Sequence, residues 1–168
     1  MRAARARQAA LAALLLAAAL APAAAPAQGG LPTREVVIGG ERFRLEVAAD
    51  PQAQYRGLGG RSAIPRNGGM LFVHASPRPL AFVMRDCPIL IDVAFLDADG
   101  RVLNVHTMKP EPPRRPGESA DAYEARLPAY PSTAPAQYAV ELAGGRLAEL
   151  GVGPGDRIDL GAAPPTAP

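Results

Sequence analysis

The run Val93-Ala94-Phe95-Leu96-Asp97-Ala98-Asp99-Gly100-Arg101-Val102-Leu103-Asn104-Val105-His106-Thr107 decides the fold class. Its first four residues are apolar without a break and stop at Asp97, which fits a short buried strand better than a helix. Asp97 to Gly100 has turn chemistry, with a glycine placed for a left-handed residue. Val102, Asn104 and His106 then alternate with Leu103 and Val105, the pattern of a strand and the return arm of a hairpin. Two earlier runs, Met70-Leu71-Phe72-Val73 and Leu80-Ala81-Phe82-Val83-Met84, are equally short and apolar. Upstream, Val36, Val37 and Ile38 precede a Gly39-Gly40 break. Phe43, Leu45 and Val47 then alternate with Arg42, Arg44 and Glu46, a second hairpin with one wet face. Downstream, Tyr138-Ala139-Val140-Glu141-Leu142 and the alternating Arg157-Ile158-Asp159-Leu160 complete the strand set. Asp50-Pro51 is a helix start, Asp as N-cap and Pro at the first helical position, with a stop at Gly57. A second short helix fits residues 146–150. The expected fold is mainly β (α+β): a compact antiparallel barrel or sandwich of about seven or eight short strands with two short helices.

The 168 residues suit one domain; 48% are hydrophobic and 20% charged. Arg2, Arg5 and Arg7 precede an uncharged Ala/Leu run over residues 9–21, and Ala25-Pro26-Ala27 fits a small-x-small cleavage site. This is the pattern of an export signal over residues 1–27, and its apolar core is shorter than the ~20 residues of a membrane span. Cleavage removes three of the 18 basic residues and none of the 16 acidic ones, so the remainder is close to neutral. Such a chain lacks the basic footprint of a nucleic-acid binder and has no membrane element once the signal is gone. The expected location is the periplasm or the cell exterior. A short linker at 28–33 then leads into a domain over 34–160. A single cysteine cannot make an internal disulfide, so the domain is held by burial. Within it, residues 109–137 carry seven prolines, which excludes a central strand; one or two helical turns fit residues 120–127, and the rest reads as a surface excursion. Residues 161–168 form a Pro/Ala tail.

Several blocks in order resemble the DUF192 family of bacterial and archaeal proteins. They are Arg56-Gly57-Leu58 with Arg61, Gly69-Met70-Leu71-Phe72, Phe82-Val83-Met84-Arg85, Ile91-Asp92-Val93, Phe95-Leu96-Asp97-Ala98-Asp99-Gly100, Leu142-Ala143-Gly144-Gly145 and Gly155-Asp156-Arg157. The family usually has Met at the position of Gly59, Trp at Val83 and a polar residue at Cys87. The resemblance implies a compact strand-rich domain, commonly exported, and supplies no reaction.

The polar residues of interest are Arg56, Arg61, Arg85 and Asp92. The expected site is a basic pocket in which the three guanidiniums converge on an anionic ligand while Asp92 orients one of them. Arginine's planar fork binds carboxylate or phosphate with two parallel hydrogen bonds. Gly57, Gly59 and Gly60 would let the backbone approach the ligand. A structural Arg–Asp bridge is the competing reading of the same set. On this view the protein is a non-catalytic module for a small polar or anionic ligand or an envelope partner, with no cofactor. The first alternative is a hydrolase using Asp92 with Asp86, or Cys87 with His74 or His106 as base. The second is a soft-metal (Cu or Zn) site drawn from His74, His106, Cys87, Met70, Met84 and Met108, none at the spacing of a recognisable motif. Asp97, Asp99 and Gly100 lack the glutamate that would complete a calcium loop. N-terminal sequencing of protein recovered outside the cytoplasm is expected to start near Gln28; an intact Met1 on that material contradicts the cleavage.

Overall fold

A computed structural model of the chain describes residues 30–161. The expected signal over 1–27 lies outside the described residues, as does the tail beyond Gly161. The Gly39-Gly40 turn joins β1 (Thr33–Ile38) to β2 (Glu41–Ala48) as an antiparallel hairpin in which Val36 faces Phe43. Thr33, the last residue of the expected linker, already pairs with Glu46. Asp50 then caps α1 (Pro51–Arg56), its carboxylate accepting from the Ala53 N–H at 2.9 Å, and Pro51 fills the first turn. The helix is a crossover that returns the chain to β3 (Met70–Arg78), parallel to β2. β4 (Ala81–Phe82), β5 (Ile91–Leu96), β6 (Val102–Met108), α2 (Ala120–Ala125), β7 (Tyr130–Pro131), β8 (Ala136–Ala143) and α3 (Arg146–Glu149) follow.

The main sheet has six strands in the order β1-β2-β3-β8-β5-β6, all antiparallel but for β2–β3; β4 and β7 form a separate two-stranded ribbon. Eight strands and the β-rich class match the expectation. Three departures carry physical reasons. The α1 crossover makes one pair parallel, so the sheet is mixed. The sheet stays open rather than closing into a barrel. The expected last strand contributes only isolated bridges, Val37 with Asp159 and Arg101 with Arg157. The apolar run Leu80 to Met84 shortens to Ala81 and Phe82 because Pro79 precedes it and the chain turns at Arg85.

Both faces of the sheet are covered, a sandwich-like arrangement. One face carries Phe43, Leu45, Leu71, Ala94, Leu96, Val140 and Leu142, packed against Leu147, Ile158 and Leu160. The other carries Met70, Phe72, Val93, Phe95 and Ala139, packed against Leu58, Leu80, Met84 and Cys87. Burial on both faces explains why β5 is apolar at five of its six positions and buried at all of them. The sixth, Asp92, alternates with Ala94 onto the first face.

The start of β3 lies tight against the middle of β8. Gly69 has φ +144°, and a Cβ there would sit 2.2 Å from the Glu141 carbonyl oxygen. Gly69→Ala is therefore expected to destabilise the domain by more than about 1 kcal/mol, read as a lowered denaturant midpoint. An unchanged midpoint contradicts this packing.

Candidate functional site

The second face of the sheet opens into a cleft of about 280 Å³ between the sheet, α1 with its following loop, and the β4 segment. Local sequence explains its walls. Gly57 ends α1 with its N–H on the Ala53 carbonyl at 2.9 Å and turns the chain so that Leu58 buries. Gly59 then passes so close to residue 85 that a Cβ would lie 3.2 Å from the Arg85 carbonyl oxygen. The Gly60 N–H bonds the Asp86 carbonyl at 2.8 Å. The loop's backbone thus packs closely on residues 85 and 86, while Gly57 and Gly59 also line the cleft. Opposite, Phe82 packs edge-on against Phe72 (4.7 Å between ring centres) and Phe95 (5.2 Å). Pairing of Phe82 with Tyr130 in β7 braces that wall.

The floor is polar and unpaired. β8 presents Ala139, Glu141 and Ala143 alternately to this face. β3 adds Met70, Phe72 and His74, the last just beyond the end of its regular pairing with β8 at Val73↔Tyr138. Glu141 and His74 are 6% and 8% exposed, and both line the cleft. Glu141 Oε2 and His74 Nε2 are buried with no hydrogen-bond partner among the described residues. Burial pushes the Glu141 carboxyl up to about 8, only partly opposed by the charge of Arg61. Burial, aided by the charge of Arg78, pulls His74 down to about 4. At neutral pH the floor therefore holds a protonated acid and, four residues along β3 from Met70, the partner of Glu141, a neutral imidazole.

Arginines ring the mouth. Arg56, Arg78 and Arg85 line it. Arg85 is committed: both its Nε and its Nη2 (2.6 Å) bond the Glu124 carboxylate, its Nη1 bonds the Tyr55 carbonyl at 2.9 Å, and it stacks 4.0 Å over the Tyr55 ring. Arg56 and Arg78 are exposed, and their guanidiniums make no hydrogen bond or ion pair with a described residue.

The structure thus divides the residues named from sequence. Arg56, Gly57 and Arg85 share the cleft. Arg61 does not line it; its guanidinium forms a two-pronged pair with Glu46 at 2.6 and 2.7 Å, which holds the Glu46 carboxyl below its usual range. Asp92 orients no guanidinium. It lies on the opposite face, accepting from the Thr107 hydroxyl at 2.8 Å and the Leu147 N–H at 2.9 Å, and so anchors α3 to the sheet. The bridge reading holds for arginine but with glutamate partners.

The alternative chemistries fare as follows. Cys87 lines the cleft, but burial, with the charges of Glu141 and Asp86, pushes its thiol up to about 11, and the S–H meets the Arg85 carbonyl at 3.3 Å. A thiol held protonated is a poor nucleophile. His106 is engaged with Asn104 and the Pro131 carbonyl, both at 2.9 Å. Asp86 meets the Tyr123 hydroxyl. Among the described residues no three His, Cys, Asp or Glu side chains gather as a metal site, and Met70, Met84 and Met108 are core residues.

Residues 109–137 are more than a surface excursion. Tyr123 and Leu127 are buried, Glu124 holds Arg85, and the Tyr123 hydroxyl bonds the Asp86 N–H at 3.0 Å.

Comparison with known proteins adds the following. The family DUF192 (Uncharacterized ACR, COG1430) matches residues 34–160. No curated protein matches the chain. Two crystal structures share the fold at a TM-score of 0.63. One is a Sinorhizobium meliloti 1021 protein provisionally called a transcription regulator, 25% identical over 79% of this chain and 96% of that one. The other is a protein of unknown function from Novosphingobium aromaticivorans DSM 12444, 28% identical over 84% of this chain and 94% of that one.

The two floor groups make stability depend on pH in opposite senses. Glu141 titrates higher folded than unfolded, so its favourable contribution is complete below about 4.5 and is lost as pH rises through about 8. His74 titrates lower folded, so its contribution is present above 6.5 and is lost as pH falls through about 4. Glu141→Gln is expected to gain on wild type between pH 5.5 and 8, by at most about 1.4 kcal/mol per pH unit, in chemical denaturation. Parallel pH profiles for the two proteins contradict the assignment.

Proposed function

The chain belongs to the DUF192 family, and on that footing we propose that it is an exported, non-catalytic module that binds a small polar, anionic ligand in this cleft. One observation carries the reading: two buried polar atoms without partners among the described residues, Glu141 Oε2 and His74 Nε2, open onto a cleft whose mouth bears the guanidiniums of Arg56 and Arg78, likewise unpaired among those residues. A buried polar group left unpaired costs about 1–3 kcal/mol, which a bound ligand returns. Apolar walls with a few placed polar groups are the usual make-up of a small-molecule site. The cation excess at the mouth supports an anion. Ionisation of Glu141 would add a negative charge to the floor, so affinity for an anion falls as pH rises through about 8. Export rests on the N-terminal pattern of basic, apolar and small residues. The regulator label of the Sinorhizobium protein is not carried over. The helices among the described residues span six, six and four residues and offer no recognition helix for a DNA groove.

A catalytic reading has one observation in its favour: an acid that keeps its proton to about pH 8 within a cleft is placed to donate it. That role would fall to Glu141 rather than to Asp92, Asp86 or Cys87.

Thermal-shift measurements at pH 6 with carboxylates, phosphates and sulfate test the binding reading. At least one organic anion is expected to raise the melting temperature. The double substitution Arg56→Ala with Arg78→Ala is expected to lower its affinity at least tenfold while leaving the unliganded melt within about 0.5 kcal/mol, as for exposed unpaired residues. Undiminished affinity in the double variant contradicts the role of the mouth.

A further inference from the structure

The cleft floor and mouth differ enough in chemistry to narrow the ligand class. At about 280 Å³ the cleft has room for about nine water molecules, at roughly 30 Å³ each. It suits a small molecule of about the size of a monosaccharide and excludes nucleotides and peptides from complete burial. The floor offers one O–H donor with acceptor capacity on Glu141 and a ring nitrogen on His74 whose role follows the tautomer. A hydroxyl both donates and accepts, so it satisfies either tautomer; a carboxylate only accepts. A second anionic group at the floor would also meet no free cation, because Arg61 is held by Glu46. An ammonium is disfavoured for the opposite reason, since the charges of Arg61 and Arg78 act on Glu141 and His74 respectively. Between floor and mouth the walls are Phe72, Phe82, Leu58, Leu80 and Val83, which match the C–H faces of an aliphatic ring or chain. At the mouth, Arg56 and Arg78 present forked donors suited to a planar carboxylate.

Building on the binding reading above, we propose that the ligand is a compact hydroxy-carboxylate, a sugar acid or a molecule of that chemistry. It sets separate hydroxyls against Glu141 and His74 and its carboxylate against Arg56 and Arg78. Each half of the ligand answers one half of the site. An unsubstituted aliphatic acid leaves the floor unpaired, and a neutral sugar leaves the mouth unused.

Calorimetric titration of the wild-type protein at pH 6 with glucuronate, glucose, hexanoate, leucine and glucose 6-phosphate tests this. Glucuronate is expected to bind at least tenfold more tightly than each of the others. Hexanoate or leucine matching glucuronate overturns the hydroxyl at the floor; glucose matching it overturns the carboxylate at the mouth. Glucose 6-phosphate binding more tightly replaces the carboxylate with a phosphate. In each of these outcomes the cleft remains a binding site. Absence of heat from every probe, and from inorganic phosphate, overturns both the class and the binding reading. Glu141→Leu is expected to bring glucuronate and hexanoate to near parity. Retention of the full preference by a folded Leu variant contradicts the floor contact, and the wild-type series decides the proposal if that variant fails to fold.

Discussion

A carboxyl group in the middle of a six-stranded sheet, buried and without a hydrogen-bond partner among the described residues, is the constraint around which this domain is arranged. Removing an ionised carboxylate from water without a partner is prohibitive, so Glu141 keeps its proton into the neutral range. Even the neutral acid carries a penalty. An all-apolar floor would remove it. The chain instead keeps a polar atom there, and the same cleft holds an imidazole nitrogen that has no partner among the described residues. The arginines at the mouth acquire chemical meaning from that floor.

Much of the fold was legible because its signals are local. Gly39-Gly40 between alternating strands reads as a hairpin, and the register of Val36 against Phe43 follows from it. Asp50-Pro51 reads as a helix start, and the Asp50 side chain does cap Ala53. What periodicity could not show was strand order. β3 lies between β2 and β8, a pairing across some 70 residues of chain that no local pattern encodes. The parallel β2–β3 pair was equally hidden, since a six-residue helix serves a crossover as well as a corner. Residues 157–160 alternate like a strand but contribute only isolated bridges.

The site was half legible. Arg56, Gly57 and Arg85 reach the cleft, because the loop after α1 packs directly on residues 85 and 86. Arg61 and Asp92 do not line it: Arg61, in a loop, is held by Glu46, and for Asp92 the reason is strand parity. Asp92 points to the face of Ala94, where it holds α3, while the cleft lies on the face of Val93 and Phe95. The signal for Glu141 was present and passed over: an acid between Val140 and Leu142, on the small-residue side of a strand otherwise buried. An acid on a fully buried strand is informative in a way that an exposed arginine is not. His74 was weighed as a metal ligand or base; its place next to the point where β3 and β8 lose regular pairing makes it a floor group instead. Glu124 could not be found from sequence, since its link to Arg85 depends on how a proline-rich stretch folds back over the sheet.

The chemistry of the cleft therefore turns on the protonation state of one side chain. A carbon-13 NMR titration of the Glu141 side-chain carboxyl in the unliganded protein reads that state directly. The account predicts a midpoint near 8. A midpoint in the ordinary glutamate range around 4.3 would contradict it, because the floor of the cleft would then carry a solvated or paired carboxylate.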